Sequence, residues 1–299
     1  MRIFITGGTG FVGSRLVPFL LDRGHGVTLL VRPREGEGLA PRGVRVVEGD
    51  PTEPGPWWDP VAECDAAINM AGANIFGRWT EARKSLIRES RLATTRNLVD
   101  AIPEGKPFTL SSTSAVGIYG DGGERELDET AAPGDDFLAR LARDWEAEAL
   151  RAEEKGARVV ITRFAIVLGE GGGALEQLVR VTRWCLAGPL GSGRQWFSWI
   201  HRQDLMAAIL FLLERPELRG AFNLAAPFPR RQIEVVRTLG KVLHRPAILP
   251  APAFAVRLVL GEFADAVLFS QRMVPQRLRE AEFSFRFPEL EPALREILG

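Results

Sequence analysis

The first thirteen residues constrain the fold of this chain more than any other segment. Arg2 to Thr6 is a short apolar run that reads as a buried strand. TGGTGFVG follows, with Gly7, Gly10 and Gly13 spaced three apart, ahead of an amphipathic helix from Phe11 to about Arg23. Strand, tight turn and helix in that order open a βαβ unit. Gly7 permits the turn, Gly10 lets a pyrophosphate approach the backbone, and Gly13 lets the helix pack closely on the sheet. The helix N-terminus adds unpaired N–H groups and the positive end of its dipole. Residues 7 to 13 are therefore expected to hold a dinucleotide, with a plain glycine-rich turn as the competing reading.

A length of 299 residues suits one large α/β unit or a nucleotide domain with a smaller partner lobe, and two lobes are expected. The formal net charge is zero and no Lys/Arg block stands out, so there is no electrostatic case for nucleic acid or an anionic membrane surface. Small molecules are the expected partners. The first strand begins at residue 2, which argues against a signal peptide, and the longest apolar stretch, near Leu205 to Leu213, is too short to span a bilayer. The expectation is a soluble, cytoplasmic monomer or homodimer. Cys64 and Cys185 lie far apart without metal-ligand spacing and read as buried, reduced thiols; no metal site is expected.

Further apolar runs mark strands at Val27 to Val31, Val44 to Glu48, Ala66 to Met70, Pro107 to Ser112 and Arg158 to Arg163. Helical patterns fill the gaps, the strongest from about Thr80 to Ala101 and from about Phe137 to Lys155. Alternating β and α implies a parallel sheet covered on both faces. After Gly169 the character changes to a GEGGG loop, a helical stretch with Trp184, a turn cluster from Gly188 to Gly193, and a Pro-punctuated C-terminal third. The expected fold is α/β, a Rossmann-type doubly wound parallel sheet with a smaller, mostly helical C-terminal substrate lobe. Residues 1–168, with 199–228 returning, form the first unit; 169–198 and 229–299 form the second.

In a Rossmann arrangement an acid at the end of the second strand holds the adenosine ribose and repels a 2′-phosphate. Here that place holds Arg32, whose guanidinium suits a phosphate, with Arg34 nearby to help. The expected cofactor is NADP(H) in preference to NAD(H). Asp50, after the third strand, is placed to meet the adenine amino group or to close a turn.

Several motifs then point to a family. TGGTGFVG, the INMAG run from Ile68 to Gly72, SSTSAVGIYG from Ser111 to Gly120, RFAIVLG from Arg163 to Gly169 and WIHRQDL from Trp199 to Leu205 resemble the extended short-chain dehydrogenase/reductases. GRWTEARK, SRLATTRNL, GDDFLARLARDWE, AGPLGSGRQWFSWIH and LGEFAD narrow the resemblance to an atypical, NAD-dependent epimerase/dehydratase-like branch. The resemblance implies pyrophosphate contacts at Gly7, Gly10, Phe11, Val12 and Gly13, and places Asn69, Ala71 and Gly72 beside the cofactor. It implies a further polar contact at Ser90, beside which Arg91 is a departure, and a C-terminal lobe where relatives bind nucleotide sugars.

Members of that family use a tyrosine and, four residues on, a lysine that lowers the phenol's pKa. This chain has one tyrosine, Tyr119, with Gly123 four residues later. Alignment on GDDFLARLARDWE puts Leu138 and Ala142 near the two catalytic positions, both chemically silent. The substitutes are Thr113 or Ser114, as hydroxyls that orient a substrate; Tyr119, as an acid or a packing residue; and His201, as a proton donor or a structural histidine. Asp204 reads as the N-cap of the helix beginning at Leu205. Arg194, Gln195, Trp196 and Trp199 combine charge, amide and flat apolar surface as a substrate pocket would, or pack as a strand. Asn74 and Trp79 are expected in the same cleft. The leading expectation is an atypical NADP(H)-dependent oxidoreductase or epimerase-like enzyme; the alternative is a non-catalytic NADP(H)-binding sensor or assembly protein.

Overall fold

A computed structural model describes residues 1–33 and 43–299. Seven strands form one sheet: β1 (Arg2–Thr6), β2 (Gly26–Val31), β3 (Arg45–Glu48), β4 (Ala66–Asn69), β5 (Thr109–Ala115), β6 (Arg158–Phe164) and β7 (Gly220–Leu224). They lie in the order 3-2-1-4-5-6-7, every pair parallel. The winding direction reverses between β1 and β4. A crevice opens at the carboxyl ends of the strands at such a switch point, where doubly wound sheets take their ligands.

Side chains that alternate along each strand feed two separate cores. Ile3 and Ile5 face α1 (Gly13–Leu21) with its Leu16, Val17 and Leu20, while Phe4 faces the other way onto Trp57, Leu98 and Val99. Long helices α2 (Glu81–Ala101) and α3 (Phe137–Leu150) cover that second face. Their start signals are explicit: Thr80 accepts the N–H of Arg83, and Asp136 accepts those of Leu138 and Ala139. On the first face, α5 (Arg202–Glu214) adds Leu205, Ile209 and Leu213.

The C-terminal region is helical. There α4 (Gly173–Arg183), α6 (Gln232–Leu243) and α7 (Leu290–Leu298) enclose a third core with Trp199 at its centre. Short two-stranded ladders tie this region to the sheet domain, pairing Trp199–His201 with Ile166–Leu168 and Arg272–Met273 with Glu126–Leu127. No helix among the described residues is long and apolar enough to cross a membrane.

Three local expectations fail. The first helix begins at Gly13 rather than Phe11, because Phe11 and Val12 belong to the turn that faces the crevice. His201, not Asp204, caps α5: its Nδ1 accepts the N–H of Gln203, and Asp204 instead accepts the N–H groups of Arg286 and Phe287. Cys64 is buried, but Cys185 is exposed just past α4.

Candidate functional site

The crevice is a cavity of about 900 Å³. Its first wall is built from backbone. Gly7 has φ +73°, and a Cβ on Gly13 would lie 2.4 Å from the Gly7 carbonyl oxygen, so neither position admits a side chain. Gly10 differs: a Cβ there would meet only that same oxygen, at 3.3 Å, and would otherwise stand in the open cleft. Val12 at the N-cap offers no side-chain acceptor and the first turn of α1 carries no acid. Ser14 and Arg15 give their N–H groups to the carbonyls of Gly10 and Val12, while those of Phe11, Val12 and Gly13 have no partner among the described residues and are left for an anion. The Phe11 ring lies on Gly172 and Gly173 at the edge of the cleft, with the Arg202 guanidinium 5.1 Å above it.

Met70, Ala71 and Gly72 continue this wall beyond β4. Two residues expected beside the cofactor hold the wall from behind and do not face the cavity. Asn69 is fully buried, accepts from Thr6 Oγ1 at 2.7 Å and donates to Thr95 at 2.8 Å and Ser112 at 3.4 Å, so its amide is committed to joining β1, β4, β5 and α2. Ser90 accepts the Ala73 N–H and donates to the Ile87 carbonyl, pinning the loop to α2. Arg32 and Asp50 are exposed at the ends of β2 and β3, outside the enclosed cavity and close enough for the Arg32 charge to act on the Asp50 carboxylate. Asp50 also accepts the N–H and hydroxyl of Thr52 through Oδ1 and so closes a turn. Arg34 lies outside the described residues.

The second wall is built from side chains. Trp79, Phe137 and Phe263 meet ring to ring, with centroids 5.1 Å and 5.6 Å from Trp79, and Leu138, Leu141 and Val267 extend the surface. Thr113 and Ser114 end β5 at the seam between the walls. Ser114 is fully buried and donates to Glu146 at 2.6 Å. Thr113 is half-buried, and its hydroxyl makes no hydrogen bond with any described residue.

Behind Ser114 runs a closed polar chain. Arg163 grips Glu146 through Nε and Nη2 at 2.9 and 2.8 Å and donates Nη1 to the Tyr119 oxygen at 2.9 Å. Tyr119 donates to Asn223 at 2.6 Å, and Asn223 donates to the carbonyls of Leu127 and Val274. Tyr119 is 2% exposed, and burial pushes its phenol up to about 12. It is a framework residue and does not line the cleft. His201 is also corrected: its ring, 2% exposed, stacks on Phe287 and meets Glu296 through Nε2 at 2.9 Å. Because Nδ1 accepts a backbone N–H, the neutral ring carries its proton on Nε2, and burial lowers its pKa.

The substrate-pocket expectation around residues 194–199 does not match the cavity either. Trp199 is fully buried in the third core and Gln195 ties the Leu190 and Val267 carbonyls. Arg194 is exposed, and Trp196 lies between Arg231 and Arg272 on a separate cavity of about 300 Å³. None of these four residues lines the main cleft. Asn74 and Trp79 do line the main cleft.

Sequence reasoning passed over Phe137, Trp145 and Phe263 and noted Arg91 only as a departure; all four are on the cavity surface. Arg91 donates Nη1 to the carbonyls of Ala73 and Ile87, and its guanidinium lies 5.3 Å from the Trp145 ring. Burial without a countercharge lowers its pKa to about 10. The signal was present, since an arginine stood where a polar cofactor contact was expected, and SRLATTRNL, GDDFLARLARDWE and LGEFAD carry these residues.

Residues 3–225 match the NAD dependent epimerase/dehydratase family, and residues 251–297 match a domain of unknown function. An Arabidopsis thaliana protein described as "Epimerase family protein SDR39U1 homolog, chloroplastic" is 39% identical over 307 residues, covering 100% of this chain and 87% of that protein. The crystal structure of human epimerase family protein SDR39U1 with NADPH superimposes with a TM-score of 0.87 at 36% identity, covering 99% of each chain. Thermus thermophilus UDP-glucose 4-epimerase in complex with NAD shares the fold, with a TM-score of 0.76 at 19% identity over 99% of this chain and 97% of that one. The chain belongs to the NAD dependent epimerase/dehydratase family.

Proposed function

We propose that the protein binds NADP(H) and works as an atypical oxidoreductase on a small carbonyl or alcohol substrate. In this reading residues 1–168 and 199–228 serve as the cofactor unit and 169–198 with 229–299 as the substrate lobe. The carrying observation is that one cleft joins a backbone wall suited to a pyrophosphate to an uncommitted hydroxyl, Thr113, at its seam. Gly7, Gly10, Gly13 and the α1 N-terminus would hold the pyrophosphate, with Ala71 and Gly72 alongside. Arg32 would meet a 2′-phosphate, a choice supported by the NADPH bound to the human relative. The cofactor supplies or accepts a hydride when bound. Thr113 donates a hydrogen bond that holds the substrate oxygen, and the apolar wall keeps water from the reacting atoms. A threonine hydroxyl is a poor acid at neutral pH, so in reduction Thr113 would pass its proton to the substrate oxygen as the hydride arrives and take one back from solvent at the cleft mouth, and the reverse in oxidation.

Commitment of the Ser114 and Tyr119 hydroxyls to the buried chain favours a second reading, a binding-only role. Titration with NADPH and then NADH, followed by hydride exchange against a carbonyl panel, separates the two. Selective NADPH binding with exchange, lost in Thr113→Val and kept in Thr113→Ser, supports the enzyme. Tight binding with no exchange supports the second reading. In Arg32→Asp, NADPH affinity is expected to fall about tenfold more than NADH affinity; an equal loss for both removes the phosphate assignment.

A further inference from the structure

We propose that the substrate half of the cleft takes a flat or chain-like apolar molecule carrying a single anionic group, a carboxylate or phosphate, which rests on Arg91. The inference rests on the cofactor reading above, because it assigns the glycine-loop half to the dinucleotide.

Apart from Thr113 at the seam, most polar side chains on this half are already committed. Lys84 is clamped between Glu81 at 2.7 Å and Glu262 at 2.9 Å, and Arg140 faces Asp135 at 3.5 Å. Gln271 gives its amide N–H groups to the carbonyls of Val116 and Gly120. Asp136 caps α3, and Asn74 Oδ1 closes a turn onto the Phe76 N–H, leaving only its amide N–H groups. A nucleotide sugar brings two phosphates and a ring of hydroxyls, each needing a partner once buried. This wall offers aromatic rings instead, and rings reward apolar area and flat shape.

Arg91 is the exception among the three cations that line the cleft within the described residues. It has no carboxylate partner there and uses only Nη1 in hydrogen bonds. The two carbonyls and the Trp145 face hold the guanidinium plane but do not neutralise it. A buried charge in that position is stabilised when a ligand supplies the anion. Its Cζ lies 3.0 Å from where a Gly72 Cβ would sit, and it lines the cleft, which puts the guanidinium at the border of the two walls, within reach of a ligand in the substrate half next to the cofactor.

The test is calorimetric titration of NADPH-saturated protein with 2-naphthoate, with neutral 2-naphthylmethanol and with UDP-glucose. The expected result is 2-naphthoate binding that weakens about ten- to hundredfold in Arg91→Met, with Arg91→Lys between, while NADPH affinity stays within about threefold. Trp79→Ala is expected to weaken both naphthyl probes alike, and thermal melting of each variant checks that it folds. The proposal is overturned if UDP-glucose binds as tightly as 2-naphthoate, if no probe binds, or if Arg91→Met leaves 2-naphthoate untouched. It is also overturned if that variant loses NADPH affinity to the same extent, which would give Arg91 to a cofactor phosphate. Failure of the wild-type protein to bind NADPH sinks the cofactor reading alone, because the 2-naphthoate comparison can still be run on the free protein.

Discussion

The two walls of the cleft are made by opposite means. The glycine-loop wall works by omission: missing side chains at Gly7 and Gly13 let backbone pack directly on backbone, and the missing side chain at Gly10 leaves the cleft open. The aromatic wall works by accumulation, gathering Trp79, Phe137 and Phe263 from segments nearly two hundred residues apart. A wall of backbone groups is fixed by local geometry and tolerates almost no substitution. A wall of side chains is shaped by packing and can be re-cut one residue at a time, so one half of such a cleft can persist while the other changes.

Substitutions separate the two walls by which ligand they disturb. Arg163→Met is expected to have the largest effect, about 4 kcal/mol of stability, because it leaves the Glu146 carboxylate buried without its partner behind the seam. Chemical denaturation measures it, and a loss below 1 kcal/mol would mean that the chain behind Ser114 does not support the walls. Trp79→Ala should cost about 3 kcal/mol and leave NADPH affinity unchanged; a cofactor effect of equal size would show that the walls are not separable. Gly13→Ala should cost about 2 kcal/mol by overpacking against Gly7 and Gly8, with cofactor titration showing the greater damage.

The smallest effect lies away from both walls, at His201. Burial lowers its folded pKa below the ordinary 6.5, so above pH 6.5 the neutral ring costs nothing. As pH falls from there toward the lowered value, the unfolded chain takes up the proton first and stability is lost. His201→Gln should flatten that part of the melting-temperature profile between pH 7 and 5 without altering ligand binding. An identical slope in wild type and variant would assign the pH dependence elsewhere.

This contrast also explains what could be read from the sequence. Gly7 to Gly13, the strand order's alternation and the helix starts at Thr80 and Asp136 are short-range signals, complete within a turn or two of chain. Arg32 and Ala71 were placed by their position after a strand. The residues around Trp199 misled because aromatic and polar composition alone does not distinguish a pocket from the junction between two packed regions. Tyr119 and His201 were singled out for chemistry that their side chains can perform in water, and burial withholds them from it. Arg91 was noticed only as a departure from a pattern; that it is buried without a carboxylate partner is set by its packing against Ala73 and Trp145, remote in sequence.

Phe11 couples three distant pieces of chain. Its ring occupies the space that side chains at Gly172 and Gly173 would fill and lies under Arg202, whose Nη1 holds the Glu170 carbonyl at 2.8 Å. A displacement of the loop at residue 11 must therefore be felt at the first turn of α4, and the stiffening of one must slow the opening of the other. Amide hydrogen exchange in residues 173–177 then becomes a reporter of what sits against the glycine loop, slowing when the loop is occupied.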